Sequence, residues 1–198
     1  MVSGISISRN FWEMLVKIDE QSATAVAARG CPRCGGRLHR GDYERKPRGG
    51  LIAELPEGEV RRISLCCDRE GCRKRALPPS VCFLGRKVYV GAAIVVACVL
   101  GTLSVTAAAA QRASGIATKT VRRWSRWWRD DYGRSPHFEA ARSRLIPPID
   151  PRELPGGLWD RFTAHAGDAR VGLARLLGFV APVTTASVPD GSRFVRVP

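Results

Sequence analysis

Four of the seven cysteines have a spacing that can hold a metal ion. Cys31-Pro-Arg-Cys34 places two thiols on one tight turn, and Gly35 lets the backbone bend around an ion. A second pair, Cys67 and Cys72, follows after a stretch of chain long enough to form a hairpin. The two pairs predict a closed, tetrahedral site that would hold a structural Zn²⁺ ion and leave no position for a catalytic water.

One ligand of the second pair stays open, because Cys66 stands next to Cys67. Adjacent residues of a strand point to opposite faces, so only one of the two can face the ion. Cys67 is favoured since it shares a face with Ile63 and Leu65, and Cys66 remains the alternate. His39 could replace a thiol, although a histidine on a basic strand is more often solvated or bound to a phosphate.

Cysteine usage also bears on the compartment. An odd number of cysteines, gathered mostly in one region, fits a metal site better than a disulfide framework. Cys82 and Cys98 stand in apolar surroundings and are expected to pack as small apolar side chains. Residues 1–10 show no charged stretch followed by an apolar one, so no secretory signal is predicted. We therefore expect a cytoplasmic protein, associated with the nucleoid.

The chain is strongly basic. Its 198 residues include 32 Lys and Arg against 18 Asp and Glu, a formal net charge of +14. A hydrophobic content of 44% is normal for a globular protein, so the composition predicts a folded protein with a polyanionic partner. An arginine-rich coding bias is the alternative explanation. The basic residues, however, gather around the cysteine region and a second motif.

This second motif, residues 106–124, has the pattern of a helix-turn-helix. A short helix would end at Gly115, where a left-handed turn is needed, and Ile116 and Val121 would lock the next helix against it. The match is imperfect because Gln111 occupies a position, four before the glycine, that usually holds a small apolar residue. A neighbouring alanine could fill that role if the helix is slightly rotated.

The second helix of the motif is predicted from about 117 to 130. Val121, Trp124 and Trp128 recur at helical spacing and are expected to pack inward, while Trp127 is placed against a sugar-phosphate backbone or in the same aromatic cluster. The outer face has the composition of a recognition helix. A basic helix that merely covers the core is the alternative. The residues predicted to contact DNA are Thr118, Lys119, Arg122, Arg123 and Arg126.

Around these motifs we predict an α+β fold, in which a small four-cysteine zinc ribbon of short antiparallel strands precedes an all-α helix-turn-helix domain and a C-terminal helical segment. Asn10 is the predicted N-cap of the first helix and Gly30 lies just beyond its end. Gly- and Pro-broken alternating stretches predict the strands, and Pro78-Pro79 ends them. The predicted division is an N-terminal helix at 1–29, the zinc ribbon at 30–80, the helix-turn-helix at 81–134, a linker and C-terminal helical segment at 135–182, and a flexible tail at 183–198.

Residues 88–110 run without a charge and are long enough to span a bilayer. The run is rich in alanine and interrupted by glycine, serine and threonine, and basic residues flank both of its ends. We therefore predict two packed helices. A basic membrane-associated protein anchored through 88–110 is kept as an alternative.

The motifs CPRCGG, Cys67–Arg75 and TVRRWSRWW (Thr120–Trp128) resemble the zinc-ribbon and helix-turn-helix modules of bacterial transposase and mobile-element proteins, over residues 30–130. The resemblance implies recognition of element ends, ahead of a catalytic domain of the RNase H type. The carboxylates after Trp128 lack the strand context of a metal-binding triad, and no Ser-His-Asp arrangement or phosphate-binding glycine loop is seen. We therefore expect an accessory factor or regulator, without enzymatic activity or a small-molecule substrate, that acts with a separate transposase or recombinase.

Double-stranded DNA, bound at a specific sequence, is the predicted partner. RNA or ribonucleoprotein binding through the ribbon is the alternative. A homodimer would match two-fold operators, and residues 159–177 are its best candidate interface. About six neutralised phosphates would make affinity fall roughly a thousandfold between 50 and 200 mM salt. The ribbon residues predicted to add phosphate contacts are Arg33, Arg37, Arg40, Arg45, Lys46 and Arg48.

Overall fold

The computed structural model describes residues 7–44, 60–84, 89–102, 111–112 and 114–184, which form a mixed α+β fold. Its α-helices in this part of the chain are α1 (Arg9–Arg29), α2 (Gly91–Thr102), α3 (Thr118–Arg126), α4 (Pro136–Arg142), α5 (Gly156–Thr163) and α6 (Ala169–Val180). A π-helical turn (Trp127–Tyr132) continues α3, and 3₁₀ turns cover Pro151–Glu153 and Ala181–Thr184.

The strands are short and pair antiparallel. They are β1 (Leu38–Arg40), β2 (Tyr43–Glu44), β3 (Arg61–Arg62), β4 (Leu65–Cys67), β5 (Arg75–Ala76), β6 (Phe83–Leu84) and β7 (Tyr89–Val90). One three-stranded sheet has the order β1-β4-β5, with Leu38 opposite Cys67 and Cys66 opposite Arg75. The strands β2 and β3 form one two-stranded sheet, and β6 and β7 form another. The three-stranded sheet, with the turns at its ends, is called the ribbon below.

Helix α1 begins earlier than the sequence predicted. Its N-cap is Ser8, whose hydroxyl accepts a hydrogen bond from the Phe11 N–H at 3.4 Å, and Asn10 lies inside the first turn. The prediction of Asn10 as N-cap is therefore wrong. The earlier start also lets Arg9 pair with Glu13 at 3.3 Å. The helix ends as expected at Gly30, whose φ of 73° favours glycine.

Helix α1 connects two apolar clusters. Its first half places Phe11, Trp12 and Leu15 in the larger core. Its last turns pack Val26 and Ala27 against the small core of the ribbon, formed by Cys31, Leu38, Leu65, Cys67 and Ala76. With 21 residues the helix is about 32 Å long, so a single rigid element reaches both cores.

The larger core is built around α2 and an aromatic cluster. Residues 92–100 of α2 are all buried, Cys98 among them, and α2 contacts α3, α5 and α6. Cys82 is buried in the same core, so both cysteines pack as predicted. Among the residues described, every helix is too short or too polar to cross a bilayer. The described part of the apolar run at 88–110 is therefore the buried centre of this core.

Trp127 is inside the protein, so of its two predicted positions the aromatic cluster is correct and the sugar-phosphate backbone is not. It is 1% exposed, and its ring centroid lies 5.2 Å from that of Trp124 and 5.0 Å from that of Trp128. The helix changes from α to π geometry at Trp127. Since a π turn has more residues per turn, it changes which side chains face the core. Two successive tryptophans can therefore pack inward here.

The apolar core runs across the boundaries predicted at 80 and 134. The stretch expected to be a linker contains α4 and a 3₁₀ turn. Residues 159–177, the candidate dimer interface, turn most of their apolar side chains into the core of their own chain. Leu158, Trp159, Leu173, Leu176 and Leu177 are all buried there. The buried side chains cannot also form the surface of a dimer. Val171, in contrast, remains 38% exposed.

A buried polar cluster joins α1 to β3 and to residues 78–81, and no spacing pattern predicted it. Asp19 accepts hydrogen bonds from the Ser80 hydroxyl and, at 2.7 Å, from the Val81 N–H. Arg62, only 1% exposed, donates to the Pro78 carbonyl at 2.9 Å. Burial raises the pKa of Asp19, and the nearby Arg62 guanidinium acts in the opposite direction. The Arg62 charge therefore offsets part of the effect of burial on the Asp19 carboxyl.

We expect Asp19→Leu to lower the free energy of unfolding by about 3–5 kcal/mol, because it leaves the Arg62 charge buried without compensation. The double variant Asp19→Leu/Arg62→Met should recover the part of this loss that comes from the uncompensated charge, while the Ser80 hydroxyl and the Val81 N–H stay without Asp19 in both variants. Denaturant unfolding measures both quantities. A double variant less stable than Asp19→Leu alone would show that the two charges do not compensate each other.

Candidate metal centre and nucleic-acid interface

Four thiols converge at one end of the ribbon. The Sγ atoms of Cys31, Cys34, Cys67 and Cys72 all lie within 4.8 Å of one another. Cys31 Sγ is 3.8 Å from Cys72 Sγ, and Cys34 Sγ is 3.5 Å from Cys67 Sγ. These separations exceed the S–S bond of a disulfide, about 2.0 Å. The four sulfurs are therefore arranged to share one metal ion, as the cysteine spacing predicted.

Two turns place the thiols. In the first, the Gly35 N–H donates to the Cys31 carbonyl at 2.8 Å, and Gly35 has a φ of 68°. In the second, the Cys72 N–H donates to the Arg69 carbonyl at 3.1 Å, and Gly71 has a φ of 78°. Both glycines adopt left-handed backbone that other residues rarely take. The longer spacing of the second pair is therefore absorbed by a turn that still brings both thiols to one point.

Gly36 closes one side of the site. A Cβ atom at this position would meet Cys67 Sγ at 3.0 Å and Cys34 Sγ at 3.3 Å. The backbone of Gly36 thus lies directly against two of the four sulfurs, and a side chain would occupy the space around them. Its carbonyl accepts from the Cys31 N–H at 2.8 Å, which fixes it in this place. Glycine, which has no side chain, therefore leaves the space beside these sulfurs open.

Strand alternation decides between the two adjacent cysteines. Cys67 is fully buried among the four thiols, whereas Cys66 points to the other face of β4. There the Cys66 thiol donates to the carbonyls of Cys67 and Arg73, both at 3.7 Å. His39 is also outside the cluster, because its Nε2 pairs with Asp68 at 3.1 Å on the exposed face. The structure therefore favours Cys67 over both alternatives.

The electrostatics of the four thiols differ from one to the next. The backbone N–H groups of Arg33 and Cys34 lower the pKa of the Cys31 thiol to about 7. Burial raises the pKa of the Cys67 thiol to about 12. Since a metal binds thiolates, the positive charge of the ion would stabilise the deprotonated form of a group such as Cys67. Metal uptake at this site would therefore release protons.

Helix α3 turns its basic side chains away from the core. Val121 and Trp124 are buried on one side, while Lys119, Arg122 and Arg126 are exposed on the other. Arg129, in the π turn, is also exposed, and the sequence analysis had not singled it out. In the described part of the chain none of these four side chains has a carboxylate partner. We call Lys119, Arg122, Arg126 and Arg129 the basic stripe.

Arg123 does not belong to this stripe, which corrects the prediction that it faces outward. Its guanidinium donates a hydrogen bond to the Tyr89 hydroxyl and lies 5.5 Å from the centre of the Tyr89 ring. Tyr89 in turn packs edge-on against Trp124, with ring centroids 5.4 Å apart. Arg123 is thus engaged at the edge of the aromatic core.

Arg40 is likewise occupied within the protein. Its guanidinium donates hydrogen bonds to the carboxylates of Glu20, in α1, and of Asp42, and these bonds raise the pKa of Arg40 further. Arg40 thus fastens the ribbon to α1, and its role as a phosphate contact stays a prediction. The predicted contacts Arg45, Lys46 and Arg48 lie outside the described residues. Four exposed cationic side chains of the ribbon have neither a hydrogen-bond nor a carboxylate partner among the described residues: Arg33, Arg37, Arg73 and Lys74.

The turn before α3 has a left-handed glycine at the predicted position. Residues 111, 112 and 114 are helical, and Gly115 follows with a φ of 65°. Ile116 is 3% and Val121 8% exposed, so both pack inward as predicted. Most of the helix predicted before this turn, residues 103–110, lies outside the described part of the chain. Gln111 is exposed, and its side-chain oxygen accepts from the Thr118 hydroxyl at 3.0 Å.

Comparison of the chain with models of protein families, with the sequences of curated proteins and with solved structures gives no match. The resemblance to transposase modules therefore rests on the motifs themselves. The function must be argued from the four-thiol site and the basic stripe.

Proposed function

We propose that this chain is a zinc-dependent protein that binds duplex DNA at a specific sequence, as a transposon-associated accessory factor or a transcriptional regulator. The observation that carries the proposal is the basic stripe. Four exposed cationic side chains follow one another at spacings of three, four and three residues along a helix that is anchored by buried tryptophans on its other side. Such a surface suits the regular negative charges of a duplex.

Zn²⁺ is the metal ion that best fits the four-thiol site. A tetrahedral site with Zn–S bonds of about 2.3 Å has S···S edges of about 3.8 Å. The two sulfur pairs measured above, at 3.8 Å and 3.5 Å, are close to this value. Four thiolates complete the coordination of the ion, so its role would be structural. The ion would stabilise a ribbon that has only a small apolar core of its own.

Helix α3 is the proposed recognition helix. An α-helix with its side chains is about 10–12 Å across, and the major groove of B-DNA is about 12 Å wide. The left-handed turn at Gly115 and the buried Ile116 support a helix-turn-helix arrangement around it. Thr118 at its start would approach bases, while Lys119, Arg122, Arg126 and Arg129 would reach phosphates. The exposed arginines of the ribbon would add contacts that carry no sequence information.

The triple variant Lys119→Ala/Arg122→Ala/Arg126→Ala tests this proposal. We expect its affinity for a short random duplex to fall by about a hundredfold at 100 mM salt, because three phosphate contacts are lost. Fluorescence anisotropy with labelled DNA measures the effect. The control is Arg144→Ala/Arg152→Ala/Arg175→Ala, which removes the same charge from exposed positions elsewhere.

Two outcomes would contradict the proposal. Equal loss of affinity in both triple variants would mean that binding follows net charge and not α3. Tight binding of single-stranded RNA that is unaffected by the α3 substitutions would instead identify an RNA-binding ribbon. Zinc content, measured in every preparation, shows that the variants have kept the ribbon intact.

A further inference from the structure

We infer that Gln111 is a specificity-determining residue that reads the major-groove edge of an adenine, and that Thr118 positions it. The inference rests on the proposed function, since it assigns a base contact to the surface proposed to bind duplex DNA. It concerns a residue that fits the helix-turn-helix pattern poorly. The structure gives this departure a reason, because the side chain lies on the surface.

Two hydrogen bonds fix where Gln111 stands. Its backbone carbonyl accepts from the Gly115 N–H at 2.8 Å, which places it one turn before the left-handed glycine. Its side-chain oxygen accepts from the Thr118 hydroxyl at 3.0 Å, across the turn. Thr118 is the first residue of α3 and stands four residues before Arg122, so the two share one edge of the helix. The Gln111 amide is therefore held at the start of the basic stripe.

The bond to Thr118 leaves the amide able to recognise a base. A glutamine amide has two N–H donors and two carbonyl lone pairs. In either orientation of the amide, one bond to Thr118 leaves at least one donor and one acceptor free. The major-groove edge of adenine presents one donor, N6–H, and one acceptor, N7, side by side. The edge of guanine presents two acceptors, so it offers nothing to the free carbonyl lone pair of Gln111.

Thr118 also changes the cost of binding. A free glutamine side chain loses rotamer freedom when it is fixed against a base. A side chain already tied to Thr118 has lost part of this freedom in the unbound protein, so less is lost on binding. Thr118 is in this sense a positioning residue, and its effect should appear in base preference.

Selection of preferred sites from random duplexes, with the full-length protein, tests the inference. We expect the wild type to prefer adenine at one position and Gln111→Ala to lower the ratio of adenine to other bases there by about tenfold, while preferences elsewhere in the site are kept. Thr118→Val should weaken the same preference, and Thr118→Ser, which retains the hydroxyl, should restore it. Gln111→Glu should shift this position to cytosine, because a carboxylate accepts from N4–H.

The outcomes separate this inference from the one on which it rests. If the wild type selects a site but Gln111→Ala and Gln111→Glu select the same site with equal strength, the adenine contact is overturned and DNA recognition stands. If the wild type selects no site, both fail together. Zinc content and helical circular dichroism exclude misfolding as the source of a lost preference, and the adenine-to-cytosine switch gives a positive signal that a damaged protein would not show.

Discussion

Cys67→Ser should lower the zinc content from one ion per chain to none and should unfold the ribbon. Cys67 is fully buried between the other three thiols, and a side chain at Gly36 would lie within 3.0 Å of its sulfur. Structural zinc sites contribute on the order of 10 kcal/mol of binding free energy at neutral pH. Apart from two of the ligands themselves, the buried cluster of the ribbon consists of Leu38, Leu65 and Ala76, which cannot replace a term of this size. Metal analysis and hydrogen exchange of the ribbon amides measure the two effects.

Cys66→Ser is the matched control, because it changes the same atom one residue away. Its thiol points to the opposite face of β4 and is half-buried. We expect this variant to keep one zinc ion per chain and the protection of its ribbon amides. If Cys66→Ser lost zinc and Cys67→Ser retained it, the ligand would be Cys66 and not Cys67. Retention of zinc by both variants would mean that the metal binds elsewhere.

The ligands of this site could be predicted from the sequence because their geometry is local. Two thiols separated by two residues on a glycine turn converge whatever the rest of the chain does. The choice of Cys67 over Cys66 followed from strand alternation, another local rule. The inward positions of Val121 and Trp124 followed in the same way from helical spacing. Each of these predictions needed only backbone geometry over a few residues.

The errors arose where partners are distant along the chain. Arg40 and Arg123 were predicted to be free cations, but Arg40 pairs with Glu20 and Arg123 donates to Tyr89. The spacing of residues along the chain does not show those contacts. The electrostatic interaction of Arg62 with Asp19 has the same origin. The position of Trp127 stayed open for another reason, since the helix changes its period at that residue. Tertiary contacts and an irregular turn thus decided the orientations that local patterns could not.

These corrections change the electrostatic account of the proposed interface. The basic stripe supplies four cations, of which Arg129 was not predicted, while Arg123 contacts Tyr89 and Arg40 pairs with two carboxylates. On the ribbon, Arg33 and Arg37 stay exposed without a carboxylate partner in the described part of the chain. The number of phosphates neutralised can then be compared with a measured quantity, the salt dependence of binding.

Raising the salt concentration from 50 to 200 mM should weaken binding to random duplex DNA by about a thousandfold if about six phosphates are neutralised, since log K falls by about 0.9 per phosphate for each tenfold rise in salt. The basic stripe alone would account for about 150-fold over this range. A steeper dependence than that requires further cations, and the exposed ribbon arginines are the candidates that the structure offers.

Substitution separates the two contributions. The triple variant Lys119→Ala/Arg122→Ala/Arg126→Ala should lower the slope of log K against log salt by about 2.7, because three phosphate contacts are lost. Arg33→Ala/Arg37→Ala should lower it by about 1.8 if the ribbon touches the same duplex. A slope unchanged by the triple variant would remove α3 from the interface, since cations that contact phosphates cannot be deleted without changing the number of released counterions. An unchanged slope in the ribbon variant alone would confine the duplex to α3 and leave the zinc ribbon a structural support.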